Sequence, residues 1–170
     1  MQNKKFVPDY YIKNKINNRP FMKFYTLIAV ILLLFSGCTK KNKYSVGQEW
    51  NYKTRPTEKN SILKILKIEE YPETGKVIHI SVSGLKIKDT SSTTGFAEKL
   101  THIPVSEEAL DKSVITLKNK TIKKPDTLEM DGYIYWKKEF EKGNAGIFTM
   151  PVSEIIDSME KSIISGDYTK

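Results

Sequence analysis

Hydrophobic and polar positions divide the chain into three regimes. Residues 24–35 (FYTLIAVILLLF) form one long, uncharged and mostly apolar run, with Lys23 immediately before it. From 49 to 88 the pattern alternates instead. In EWNYKTR (49–55), Trp50, Tyr52 and Thr54 recur at every second position, the period of a half-buried strand. ILKILKIEE (62–70) mixes two periods, because Ile62, Ile65, Leu66 and Glu69 also fit a helix. Its β-branched residues and the turn signal Pro72-Glu73-Thr74-Gly75 that follows favour a strand. KVIHISVSGLKIK (76–88) places Ile78, Ile80 and Val82 on one face and His79, Ser81 and Ser83 on the other, with Gly84 expected at a bulge or bend. DTSSTTG (89–95) reads as a polar loop.

Beyond residue 105 the period becomes helical. Ser106 is placed to cap EEALDKSVITLKNK (107–120), where Glu107 and Glu108 complement the positive end of a helix dipole and Ala109, Leu110, Val114 and Leu117 repeat at helical spacing. A second helix is expected from Asp131, with Tyr133, Trp136 and Phe140 in one stripe and Gly143-Asn144 as its stop. Pro151 opens a third, carrying Val152, Ile155, Ile156, Met159 and Ile163 on one side. Strands first and helices afterwards predict an α+β domain. A small antiparallel sheet comes from the N-terminal half, and about three helices from the C-terminal half cover one of its faces.

The apolar run at 24–35 falls short of the roughly 20 residues needed to cross a bilayer. It suits the apolar core of a secretory signal, and it ends in Ser36-Gly37-Cys38, the last being the one cysteine of the chain. This arrangement resembles the lipobox of bacterial lipoproteins, with Phe35 where leucine is more usual. The resemblance implies attachment of diacylglycerol to Cys38 by a thioether, cleavage before it, and acylation of the new amino terminus. The chain then divides into a leader (1–21), a lipoprotein signal peptide (22–37), a lipidated tether (38–43) and a single globular domain (44–170). The leader has no apolar core and is interrupted by Pro8 and Pro20, whereas Met22-Lys23 makes a compact opening for the signal. Translation is therefore expected to begin at Met22, the alternative being one long basic leader.

Charge sharpens this division. The formal net charge is +8, and residues 1–43 account for all of it, with nine Lys and Arg against Asp9 alone. The domain from Tyr44 onward is neutral overall, which argues against nucleic acid as a partner, since such binding needs a basic folded surface. Lys40, Lys41 and Lys43 are instead placed to lie against anionic lipid headgroups. Thr39 stands after the cysteine where an aspartate would favour retention in the inner membrane. The lipoprotein resemblance thus implies the outer membrane, facing the periplasm, in a two-membraned host, or the outer face of the membrane in a one-membraned host. A lone cysteine excludes an intramolecular disulfide and zinc sites built on cysteine pairs.

Chemistry is sparse. There is no P-loop, dinucleotide-binding glycine pattern, H-E-x-x-H or G-x-S-x-G, and no cofactor, metal or catalytic residue is expected. S-x-x-K occurs at Ser61–Lys64, Ser83–Lys86 and Ser158–Lys161, but its partner motifs are missing and the abundance of both residues explains it. Three candidate binding residues remain. His79 and His102 are the two histidines, and either needs the other or a carboxylate within a few ångströms to act as a base or ligand. His79 falls on the polar strand face, and His102 precedes Ile103-Pro104 at an expected helix entrance. Arg55, the one arginine beyond residue 43, offers a planar fork for a carboxylate or phosphate, unless an acid of the domain itself takes that fork. The aromatic stripe Tyr133, Trp136 and Phe140 is expected in the core.

The wider pattern YSVGQEWNYKTRP, LKIEE, VIHISVSGLKIK and HIPVSEEALDKSV resembles a family of small uncharacterised bacterial proteins, from about Tyr44 to the final helix. The resemblance implies that 44–170 is one unit and supplies no activity. The expected function is a membrane-anchored lipoprotein whose domain binds a protein or small-ligand partner. The alternatives are a small tethered hydrolase using His79 or His102, and an immunity or inhibitor lipoprotein acting against an exported toxin.

Overall fold

Five strands pair into one antiparallel sheet in the computed structural model, which describes residues 42–89, 92–119 and 122–165. They are β1 (Glu49–Tyr52), β2 (Ile62–Tyr71), β3 (Gly75–Lys88), β4 (Phe96–Ser106) and β5 (Val114–Asn119), in spatial order β4-β3-β2-β1-β5. Three helices accompany them: α1 (Glu107–Ser113), α2 (Thr127–Glu141) and α3 (Val152–Ser165). The class is α+β, as the hydrophobic pattern predicts. Among the described residues no helix is long and apolar enough to cross a membrane. The leader, the signal segment and Cys38 lie outside the described residues.

The main core forms where the alternation places it. Ile78, Ile80 and Val82 of β3 pack with Leu63 and Ile65 of β2 and Ile103 of β4, and all six are fully buried. Ala109 and Leu110 of α1 and Val152, Ile155 and Ile156 of α3 close over them. Each of these Val, Leu and Ile side chains contributes about 1.5–3 kcal/mol on burial. Gly84 adopts φ +75°, and its Cα faces the backbone of Asn60 and Ser61 so closely that a Cβ would stand 3.2 Å from Ser61 Cα. The strand is irregular here, as expected, with a register shift between Ser83 and Ile87.

Four features depart from the sequence reading. Residues 96–106 form β4, so His102 lies within a strand and not at a helix entrance. The helix capped by Ser106 forms, with the Ala109 amide donating to Ser106 Oγ at 3.1 Å, but it ends at Ser113. Residues 114–119 leave it as β5 and pair with β1. The run Val114-Ile115-Thr116 is β-branched and stiff in a helix, and β1 offers it an open ladder. The second helix begins at Thr127, four residues before Asp131, because Asp126 and Glu129 form a reciprocal capping box.

The fourth departure matters most for function: the helices cover both faces of the sheet. α1 and α3 lie on the aliphatic face, while α2 lies on the face expected to meet water. That face stays polar but is matched. Glu129 of α2 is fully buried, accepts from Ser81 Oγ at 2.7 Å, and pairs with Lys64 at 2.7 Å and Lys99 at 3.1 Å. Val77 with Tyr133 and Trp136 forms a second, aromatic core beneath the same helix.

Candidate functional site

Two strand irregularities assemble a polar cluster beneath α2. In β2 the register runs Ile65↔Ile80 and then Lys67↔His79, so Leu66 is an extra residue. A one-residue bulge reverses the parity of everything after it. Lys67, Glu69 and Tyr71 therefore point to the α2 face, where an unbroken strand would have sent Leu66, Ile68 and Glu70. This explains the mixed period of residues 62–70. In β4, Ile103 pairs with Ile80 but Leu100 with Val82, which leaves both Thr101 and His102 opposite Ser81.

The outcome is a chain of three groups. His79 Nδ1 lies 2.9 Å from His102 Nε2, and His79 Nε2 lies 3.2 Å from Glu69 Oε2. The two imidazoles stack at 17° with centroids 5.2 Å apart. Glu69 also accepts from Tyr71 at 2.9 Å and from Tyr133 at 3.1 Å, with Lys137 Nζ 3.5 Å away. Lys137 in turn donates to Tyr71 Oη at 2.6 Å. Trp136 and Tyr133 meet the His79 ring edge-on at 4.7 and 4.9 Å, and the Lys67 ammonium stands 4.6 Å above the Tyr133 ring. Gly132 allows this closeness, since a Cβ there would fall 2.7 Å from His102 Cβ.

Protonation states follow from the partners. Burial opposes charge on Glu69, but the Tyr71 and Tyr133 hydroxyls and the Lys137 ammonium outweigh it and hold its carboxyl below the usual range. An ionised carboxylate only accepts, so the hydrogen of His79 sits on Nε2. His79 Nδ1 must then accept from His102 Nε2–H, which leaves the lone pair of His102 on Nδ1. Burial first, and the neighbouring His102 second, push His79 down to about 4, and burial does the same to His102. Both rings are neutral near pH 7.

The structure thus brings together His79, His102 and a carboxylate that sequence reasoning did not pick out. Lys137, Tyr71 and Gly132 were missed likewise. The mixed period of β2 is the one trace that Glu69 and Tyr71 leave in the sequence, and Lys137 and Gly132 of α2 leave none. The aromatic stripe is core, as expected: Tyr133 and Trp136 are buried and Phe140 packs beside them.

Arg55 lies elsewhere, 8 % exposed. Its Nε and Nη2 fork onto Glu58, and Nη1 reaches Asp157 at 3.2 Å and Glu160 of α3. The domain's own carboxylates fill the fork offered to a ligand. Among the described residues, no group of three or more His, Cys, Asp and Glu is placed to hold a metal ion. Comparison with protein-family models, curated proteins and solved structures finds no match, so the functional reading rests on this geometry.

Proposed function

We propose that the chain is an exported lipoprotein, anchored to a membrane through Cys38, whose α+β domain binds a partner and does not catalyse a reaction. The observation that supports binding over catalysis is the sealing of His79. It has no exposed surface, both ring nitrogens are engaged, and Tyr133 and Trp136 lie against it. A general base works best with a pKa near the operating pH, and about 4 is far below it. The cluster reads as the pin that fixes α2 to the sheet. The membrane is reached through the lipid, with the domain facing the periplasm from the outer membrane where the host has two membranes. Nucleic acid is not a partner on this reading, because the excess positive charge belongs to residues 1–43.

Mass spectrometry of the mature amino terminus tests the anchor: acylated Cys38 is expected, and Cys38→Ser should release the protein from the membrane fraction. A mature chain that retains residues upstream of 38 with an unmodified cysteine overturns it. A tethered hydrolase is the second reading, favoured by the Glu69–His79–His102 chain, which directs a lone pair onto Nδ1 of the partly exposed His102. His102→Ala separates the two. Loss of biological function with unchanged folding and anchoring supports the hydrolase, and retained function supports binding.

A further inference from the structure

The two edges of the sheet are treated differently by the chain. Along β4, residues 147–149 run beside the edge: the Phe148 amide donates to Pro104 O at 2.9 Å, and the Ser106 amide to Phe148 O at 2.9 Å. The outer edge of β5 has no such cover among the described residues. An exposed edge of this kind is a template for another strand.

Its side chains define what fits. Ile115 is 60 % exposed and Leu117 38 %. After β5 the Lys123 amide donates to Gly47 O at 3.0 Å, which extends the same rim, and Ile122 is 63 % exposed there. Residues 112–125 (KSVITLKNKTIKKP) contain five lysines and no acid, in a domain that is neutral only when they are counted. Among the described residues Lys112 pairs with Glu108 and Lys123 with Glu49, whereas Lys118 and Lys124 form no salt bridge.

We propose that β5 is a docking strand for an extended acidic polypeptide, which adds to the sheet as a sixth strand. The proposal deepens the binding reading above and rests on it. Backbone ladder bonds supply the attachment, Ile115 and Leu117 supply apolar contact, and Lys118 with Lys124 selects glutamate or aspartate at the neighbouring positions. A second copy of this chain fits poorly, since two β5 strands side by side would set lysine-rich rims against each other.

The test uses the full-length anchored protein in nanodiscs of neutral lipid and a synthetic ten-residue peptide alternating Glu with Val or Thr. Binding in the micromolar range is expected, with amide hydrogen exchange slowed about tenfold or more along β5 and not along β4. Lys118→Glu with Lys124→Glu should weaken binding about tenfold or more, since both are surface positions in a fold they do not hold together. A peptide with proline at its centre should not bind, because it cannot complete the ladder. Equal binding of the proline peptide, no binding at millimolar concentration, or protection of β5 by anionic vesicles without peptide each overturns the proposal, the last by making lipid the occupant. Lipidation of Cys38 is read separately from its mass. An unlipidated chain that binds the peptide overturns the anchor alone, and a lipidated chain that ignores it overturns the docking strand alone.

Discussion

At the scale of single residues, His79 carries most of what is unusual. A neutral imidazole with no exposed surface, held between a carboxylate and a second imidazole, makes the fold sensitive to acid. The unfolded chain takes up protons on both histidines near pH 6.5, whereas the folded chain resists until about 4. The unfolded state therefore binds more protons in that window. The histidine contribution is fully present above pH 6.5 and is lost as the pH falls toward 4. For His79 alone the loss amounts to roughly 3 kcal/mol, and partly exposed His102 adds less. Glu69 acts in the same direction only at lower pH, because its carboxyl is held below the ordinary range. Denaturant titrations at steps between pH 7.5 and 4 should show this decline, and His79→Gln should flatten it. A wild-type stability that does not change across that interval would contradict the assignment.

At the scale of elements, α2 shows how a helix can be docked through polar groups. Its inner face presents Glu129 to Lys64, Lys99 and Ser81, and Tyr133 and Trp136 to His79. Gly132 brings the helix down onto β4. In an ordinary helix Ala is favoured over Gly by about 1 kcal/mol. Gly132→Ala should reverse that sign here, because the new methyl group would stand 2.7 Å from His102 Cβ and force the helix outward. A loss of about 1–3 kcal/mol is expected, measured by thermal denaturation, together with faster amide exchange in β4 around His102. A more stable variant would show that α2 does not sit where the structure puts it. None of this docking is written in a periodic pattern. The inner face of α2 mixes Glu, Gly and aromatics, and the helix also exposes Leu128, Ile134 and Tyr135, so no single stripe announces which side is buried.

At the scale of the whole molecule, one guanidinium connects parts far apart in sequence. Arg55 follows β1 and joins Glu58 of the next turn to Asp157 and Glu160 of α3. Glu58 in turn accepts the Lys86 amide at 2.6 Å, and Glu160 the Lys88 amide at 2.7 Å, which ties in the far half of β3. Breaking a buried ion pair by removing one partner costs about 3–5 kcal/mol. Arg55→Lys keeps the charge but loses the fork, so a smaller loss of about 1–3 kcal/mol is expected in thermal denaturation. Binding of the acidic peptide at β5 should be unchanged, because the Arg55 guanidinium is spent on Glu58, Asp157 and Glu160, none of which belongs to β5. Unchanged stability would remove Arg55 from the structural clamp and return it to the candidate ligand contacts.

Much of the architecture was legible without coordinates. The α+β class, the aliphatic face of β3, the cap at Ser106, the stop at Gly143-Asn144 and the stripe of α3 each depend on neighbours within a few residues, and local periodicity records such dependence. The tertiary structure decided the rest. Residues 114–119 became a strand because β1 had an unpaired edge, and that edge is built from residues more than 60 positions earlier. His79 became buried because a helix nearly 50 residues later covers a face whose alternation reads as exposed. Glu69 reached it through one extra residue in β2, which turns the strand over without altering its composition. A strand pattern states which side chains share a face; what lies against that face is settled only when distant segments compete to cover it.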